Sequence, residues 1–192
     1  MELEKARAIA EELKWQLETG CDRVEIVGDI RRQKPEVRDI NLLCIPTEGW
    51  PIPLEYYDLM DLISERDPLL EFDDIDTIGQ EVTELMLQGV LGFRPTGRRA
   101  YGPKKKFMVH VPSGIGVDIF TTDTQCWAVA LVMKTGGDTT NKRIVSAARR
   151  KGWRFRTSED GFDTPDSHIT CSTEIEVFEA VGLPYLPPEQ RE

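Results

Sequence analysis

The arrangement that most constrains the fold is a pair of apolar segments joined through a glycine turn, within residues 23–45. The first segment, RVEIV, runs into Gly28, and the second, DINLLCI, begins at Asp39. Short apolar runs that are rich in β-branched residues and end at turn-forming residues are typical of strands. Because strand side chains alternate between two faces, Asp39 and Asn41 are predicted to lie on the same face.

The remaining sequence predicts a mixture of helices and strands. Apolar residues at helical spacing predict an amphipathic helix over residues 3–17, with Gly20 as its stop. Asp138 is predicted to cap the helix that it begins, and a capping box, Thr173 with Glu176, predicts a final short helix. Other helices are predicted over residues 53–65, 79–91, 123–134 and 138–151, and other strands over residues 106–111, 116–120 and 153–157. The tryptophans predicted to lie in the core are Trp15, Trp127 and Trp153, whereas Trp50 stands in a loop.

Length and cysteine usage limit the class of protein. The chain has 192 residues, enough for one domain or for two small lobes. No apolar run reaches the roughly 18 residues that a membrane span requires, so no membrane partner is predicted. The N-terminal segment lacks the apolar centre of a signal peptide. The four cysteines form no C-x-x-C pair, which argues against a zinc site or a disulfide framework and favours a cytoplasmic location.

The net charge of −10 limits the partners that the chain attracts. Proteins that bind nucleic acid gain most of that affinity from basic surfaces, so this charge argues against a strong autonomous DNA-binding protein. A local basic patch is available in Arg98, Arg99 and Lys104–Lys106. The simpler interpretation of these residues is a solvated hairpin, because lysine protects the edges of sheets.

Four blocks of sequence carry a family resemblance. In chain order they are VEIVGDIRRQKPEVRDINLL, GVDIFT, KTGGDTTNKRIVSAARRKGW and EVFEAVGLPYLPPEQRE. Together they resemble the family X DNA polymerases, the polymerase beta-like branch of the nucleotidyltransferase superfamily. The resemblance implies an α+β fold in which residues 1–134 form a nucleotidyltransferase palm, a mixed sheet with flanking helices. Residues 135–192 are then a small thumb-like α/β lobe.

The resemblance also implies a set of site residues. The positions of the family's three catalytic acids are Asp39, Asn41 and Asp118, and Asp39 and Asp118 are the implied metal ligands. In the family two divalent cations, about 3.5–4 Å apart, clamp the attacking and leaving oxygens, so Mg²⁺ or Mn²⁺ is the implied cofactor of an active enzyme. The position of Arg32 meets the triphosphate in the family, whereas that of Arg31 is structural. The implied nucleotide or phosphate-binding positions are Gly28, Asp29, Arg32, Arg38, Gly136, Asp138 and Asn141.

Three of these positions depart from the family pattern. Asn41 offers a neutral oxygen where the family has an anion. Asp29 replaces a serine that binds the triphosphate, and Arg38 replaces a glycine. One hypothesis is that Arg38 occupies the phosphate position and pairs with Asp29, so that the protein fills its own pocket. A competing hypothesis is that Asp29 supplies the missing metal ligand.

Two classes of function follow from these departures. The first is a non-catalytic or strongly attenuated nucleotidyltransferase module, without a cofactor, that serves as a binding or assembly component with protein partners. The second is an active metal-dependent DNA nucleotidyltransferase that adds a nucleotide to a primer end in repair or replication, with nucleotide and primer-template DNA as partners. The minimal size suggests a viral protein as one origin, in which case the location is the host cytoplasm or the virion.

Overall fold

The computed structural model describes residues 1–47, 77–95, 100–156 and 159–192. Within these ranges, two sheets and their flanking helices confirm the predicted α+β class. The predicted helix over residues 53–65, the Trp50 loop and the pair Arg98 and Arg99 lie outside the described residues. None of the helices in the described part has the length and apolar character needed to cross a membrane.

The larger sheet carries the two strands on which the site was predicted. Its strands are β1 (Cys21–Val27), β2 (Asp39–Pro46), β3 (Leu91–Phe93), β4 (Tyr101–Gly102), β5 (Lys105–His110) and β6 (Gly116–Thr121). Their order in the sheet is β1-β2-β6-β5-β3, with β4 beside β5. The central pair β2 and β6 is parallel, and the other neighbours are antiparallel.

The second sheet is small and comprises β7 (Arg154–Phe155), β8 (Gly161–Asp163) and β9 (His168–Thr170). These strands are antiparallel and lie in the order β7-β8-β9. The α-helices of the described residues are α1 (Leu3–Leu17), α2 (Gly28–Arg31), α3 (Thr77–Leu87), α4 (Trp127–Thr135), α5 (Asp138–Arg150) and α6 (Glu174–Ala180).

Helix α1 covers one face of the larger sheet with its apolar stripe. Ala6, Ala10, Leu13 and Leu17 are buried in the same cluster as the alternating β2 residues. The prediction that Trp15 is a core residue is wrong, because its side chain is 73% exposed. Trp15 follows Leu13 by two residues, which turns it away from the buried stripe of a helix.

Helix α4 contributes to two separate cores. Trp127, Ala130 and Leu131 pack with β1 and β2 residues on the larger sheet. Ala128, Val129 and Val132 of the same helix belong to the core of the second lobe. That core also contains Ile144, Phe162, Val177 and Phe178. The same helix therefore anchors the C-terminal elements beside the larger sheet.

Several element boundaries differ from the predictions for local reasons. The helix predicted from residue 123 begins at Trp127, because the Asp123 carboxylate accepts the Cys126 N–H at 2.7 Å in a turn. The helix predicted over residues 79–91 ends at Leu87, and Gly89 then takes a φ of +73° before β3.

Of the two predicted helix N-caps, one is wrong and the other is confirmed. Asp138 is not an N-cap: the N-cap of α5 is Gly137, and Asp138 is the first helical residue. The Thr173 cap is confirmed, since its side chain accepts the Glu176 N–H at 3.2 Å.

The prediction that the three consecutive lysines are solvated is confirmed for two of them. Lys104 and Lys105 are exposed, but Lys106 is only 2% exposed. Its ammonium donates to the Gly102 carbonyl at 3.0 Å and lies 5.3 Å from the centre of the Tyr101 ring. The lysine is buried because β5 is an inner strand of the sheet rather than an edge.

Candidate functional site

The parallel pairing of β2 and β6 brings the predicted acid positions together. Asn41 lies directly beside Asp118, and Asp39 lies beside Gly116. All three acid positions and all seven predicted phosphate-side positions line one cavity of about 530 Å³ between the larger sheet and the second lobe. Residues that are distant in sequence therefore share one pocket.

The glycine turn forms the floor of this cavity beside Asn41. Gly28 has a φ of +66°, a left-handed conformation that glycine adopts without strain, and it begins the short helix α2. A Cβ at this position would come within 2.7 Å of Asn41 Nδ2. The turn is therefore packed against the strand that carries Asp39.

The two surviving acids share an arginine that the sequence did not predict. Arg94 Nη2 donates to Asp118 Oδ1 at 2.5 Å and to Asp39 Oδ1 at 3.2 Å. Its Nε donates to the Met108 carbonyl at 2.8 Å. Arg94 is 55 residues from Asp39 and 24 from Asp118, so no local motif marks the contact.

The amide at the third acid position is turned toward its own strand. Asn41 Nδ2 donates to the Asp39 carbonyl at 3.0 Å. Within the described ranges, no group of three His, Cys, Asp or Glu residues is placed so that it could hold a metal ion. With a neutral third position and a cationic side chain on both carboxylates, these residues do not fit a pair of divalent cations.

Asp29 is bound to two arginines at the phosphate side of the cavity. Its carboxylate forms an ion pair with Arg32, and both side chains are only 10% exposed. The other Asp29 oxygen lies 3.5 Å from Arg38 Nε. The predicted pairing of Asp29 with Arg38 is therefore present, but the prediction that Arg38 fills the pocket is wrong, because its side chain is 84% exposed. The stronger partner of Asp29 is Arg32.

Arg31 joins the glycine turn to the second lobe. Its guanidinium donates to Glu174 Oε1 and Oε2 at 2.8 and 2.7 Å and to Thr135 Oγ1 at 2.6 Å. Glu174 also accepts from Arg191 at 2.9 Å, and Arg191 is fully buried. Burial alone raises the pKa of Glu174, but the hydrogen bond from Arg31 and the charge of Arg191 lower that pKa below its ordinary value.

The second lobe supplies the opposite wall of the cavity. Arg32 donates to the Thr135 carbonyl, and Asn141 Nδ2 donates to the Met133 carbonyl at 3.0 Å. Gly137 faces the backbone of Glu192, which leaves no room for a Cβ there. Arg32 Nε and Asn141 Oδ1 are buried and have no hydrogen-bond partner within the described structure. One donor and one acceptor beside the cavity are therefore unsatisfied.

Comparison with known proteins covers both lobes. The family described as the DNA polymerase beta thumb matches residues 130–192. No curated protein sequence matches the chain significantly. Among solved structures, two forms of Leishmania infantum polymerase beta are similar at 19% identity over the whole chain. The ternary P/T complex has a TM-score of 0.70 over 76% of its own chain, and the ternary gap complex has a TM-score of 0.72 over 70%.

Together these matches cover the larger sheet and the C-terminal elements. The thumb match begins inside α4, the helix that packs in both cores. The structural matches extend the likeness across the larger sheet. The protein therefore has a family X polymerase-like fold, and its residues 130–192 match the polymerase beta thumb family.

Proposed function

We propose that this chain is a nucleotidyltransferase module that binds a nucleotide without transferring it and serves as a binding or assembly component. The observation that carries this proposal is the incomplete acid set. Asn41 stands beside Asp118 with its amide bonded to the Asp39 carbonyl, where an active enzyme of this kind needs a third anion. Phosphoryl transfer depends almost entirely on positioning and charge neutralisation, so the loss of an anion should abolish or strongly attenuate transfer.

The cavity supports nucleotide binding as the retained property. Its volume of about 530 Å³ lies within the usual range for small-molecule sites. Arg32, Lys34, Arg38 and Lys134 line it, and each is a donor suited to phosphate oxygens. The Asp29 carboxylate lines the same cavity, binds Arg32 and repels phosphate, so the expected affinity for a nucleotide is modest.

Primer-template DNA and a protein partner are proposed as the macromolecular contacts. The similar structures are described as ternary P/T and gap complexes of a polymerase, and that description concerns those proteins. A net charge of −10 weakens autonomous attraction to DNA, which favours a protein partner that brings the module to its site. We propose a cytoplasmic location on the same grounds as above, and a domain boundary at residue 135.

The alternative is an active metal-dependent DNA nucleotidyltransferase. The observation in its favour is that Asp39 and Asp118 remain on adjacent parallel strands beside an open cavity. An activity of this kind requires that Arg94 leave the two carboxylates, to which it donates at 3.2 and 2.5 Å.

Equilibrium titration with a fluorescent deoxynucleoside triphosphate tests the proposed function. We expect the wild type to bind and Arg32→Gln to bind about tenfold more weakly, since a hydrogen bond to a charged group contributes about 1.5–3 kcal/mol. Arg149→Gln is the matched control, because Arg149 is an exposed residue of α5 outside the cavity. Absence of binding by the wild type, or equal binding by Arg32→Gln, contradicts the proposal.

A further inference from the structure

Arg94 lies at the point where two carboxylates approach each other. Asp39 and Asp118 come from neighbouring parallel strands, and carboxylates held close together repel each other unless a positive charge or a shared proton lies between them. A single Arg94 nitrogen, Nη2, contacts an oxygen of each, at 3.2 and 2.5 Å. The guanidinium therefore supplies at this point the charge that a bound cation supplies in other carboxylate pairs.

The arginine is built into the site rather than resting on the surface. It follows β3 directly, and β3 is held against β5 by the pairing of Phe93 with Met108. The Met108 carbonyl accepts the Arg94 Nε at 2.8 Å, which fixes the plane of the guanidinium. The Arg94 side chain is only 15% exposed.

Gly116 provides the space that the guanidinium occupies. This residue pairs with Asp39 across β2 and β6. A Cβ built on Gly116 would lie 2.5 Å from Arg94 Nη2 and would also collide with Asp39 Oδ1. The backbone of Gly116 does not have a positive φ, so its lack of a side chain matters for this close approach rather than for a turn.

We propose that the Arg94 guanidinium takes the place of a divalent cation between Asp39 and Asp118, so that the pocket accepts a polyphosphate without a metal ion. Arginine remains charged at every relevant pH and presents a fixed fork of N–H donors, which suits a permanent bridge between carboxylates. A divalent cation entering this place meets a like charge and has only two carboxylates to hold it. The polyphosphate part of the inference rests on the proposed function, whereas the exclusion of the cation does not.

Manganese binding, measured by electron paramagnetic resonance without nucleotide, tests the exclusion. We expect Arg94→Gln to bind Mn²⁺ at least tenfold more tightly than the wild type. Addition of Asp118→Asn to that variant should abolish the gain. Arg38→Gln is the matched control: it removes one arginine charge from the cavity lined by Asp39 and Asp118 but leaves both carboxylates bridged by Arg94. Equal affinity in wild type and Arg94→Gln, or an equal gain in Arg38→Gln, overturns the proposal.

Arg94→Lys provides a second test that keeps the positive charge. We expect this variant to keep the weak Mn²⁺ affinity of the wild type, because a lysine ammonium also places a cation beside the two carboxylates. A folded Arg94→Lys protein that binds Mn²⁺ at least tenfold more tightly than the wild type contradicts the proposal, even where Arg94→Gln fails to fold.

A separate measurement tests the proposal that the pocket accepts a polyphosphate without a metal ion. Wild-type affinity for the deoxynucleoside triphosphate should be the same in chelator and in Mg²⁺, and a gain of tenfold or more in Mg²⁺ overturns this part. A wild type that binds no nucleotide at all defeats the proposed function, while the Mn²⁺ comparison still decides the role of Arg94.

Discussion

The Asp29 carboxylate binds the arginine that, by the family resemblance, is expected to bind phosphate. The carboxylate pairs with Arg32, and both side chains are almost fully buried. A charged pair in this environment is held more firmly than an exposed one, because water screens it less. A nucleotide that uses Arg32 must therefore compete with a resident anion.

Replacement of Asp29 tests this competition. We expect Asp29→Ser to bind a deoxynucleoside triphosphate about tenfold more tightly than the wild type, since it frees a charge-assisted hydrogen bond of about 1.5–3 kcal/mol. Asp29→Asn, which keeps the shape of the side chain, should show a gain in the same direction. Fluorescence titration measures both affinities, and thermal unfolding checks that both variants remain folded. Unchanged or weaker binding in both folded variants contradicts this view of Asp29.

At the scale of elements, one carboxylate connects the two walls of the cavity. Glu174 begins α6 and accepts hydrogen bonds from Arg31 in α2 and from Arg191 near the end of the described chain. Arg31 also donates to Thr135 at the end of α4. The helices of both lobes are thus held together by one cluster of charged side chains.

Removal of the Glu174 charge should destabilise the protein. We expect Glu174→Gln to lower the free energy of unfolding by about 3 kcal/mol at neutral pH, because it leaves the buried Arg191 without a counter-charge. Urea unfolding measures this loss. Glu179→Gln, an exposed change in the same helix, is the control and should change the stability by less than about 0.5 kcal/mol.

The difference in unfolding free energy between wild type and Glu174→Gln should depend on pH. The folded-state pKa of Glu174 is depressed, so its stabilisation is present above the ordinary value of 4.5 and is lost as the pH falls through the folded-state pKa. The difference in stability between wild type and Glu174→Gln should therefore shrink below pH 4.5. A difference that stays constant or grows as the pH falls would show that Glu174 is not the stabilising anion.

At the scale of the whole molecule, the sequence was informative wherever a motif is local. The residues from Gly28 to Asn41 run from the short helix α2 through a connecting segment into β2, so their nearness in the sequence already places them close together. The strand of Asp118 was also predicted, and parallel pairing with β2 completes the cavity. The structure also brings Gly136, Asp138 and Asn141 to the opposite wall.

What the sequence could not predict depends on long-range packing. Arg94 reaches its carboxylates only because β3 pairs with β5 beside β6, and no spacing rule connects these residues. Lys106 is buried because β5 is an inner strand, so its surroundings also depend on neighbours across the sheet. The exposure of Trp15 has a local cause, since the helical period of α1 turns this residue away from the buried stripe.

Primer extension tests most directly whether the fold still transfers nucleotides. The assay compares the wild type with a double variant, Asp39→Asn and Asp118→Asn, on the same primer-template with Mg²⁺ or Mn²⁺. We expect no extension by the wild type above the level of the double variant, because Asn41 and Arg94 leave no site for the metal ions of transfer. Metal-dependent extension by the wild type that disappears in the double variant would show that this chain is an active enzyme.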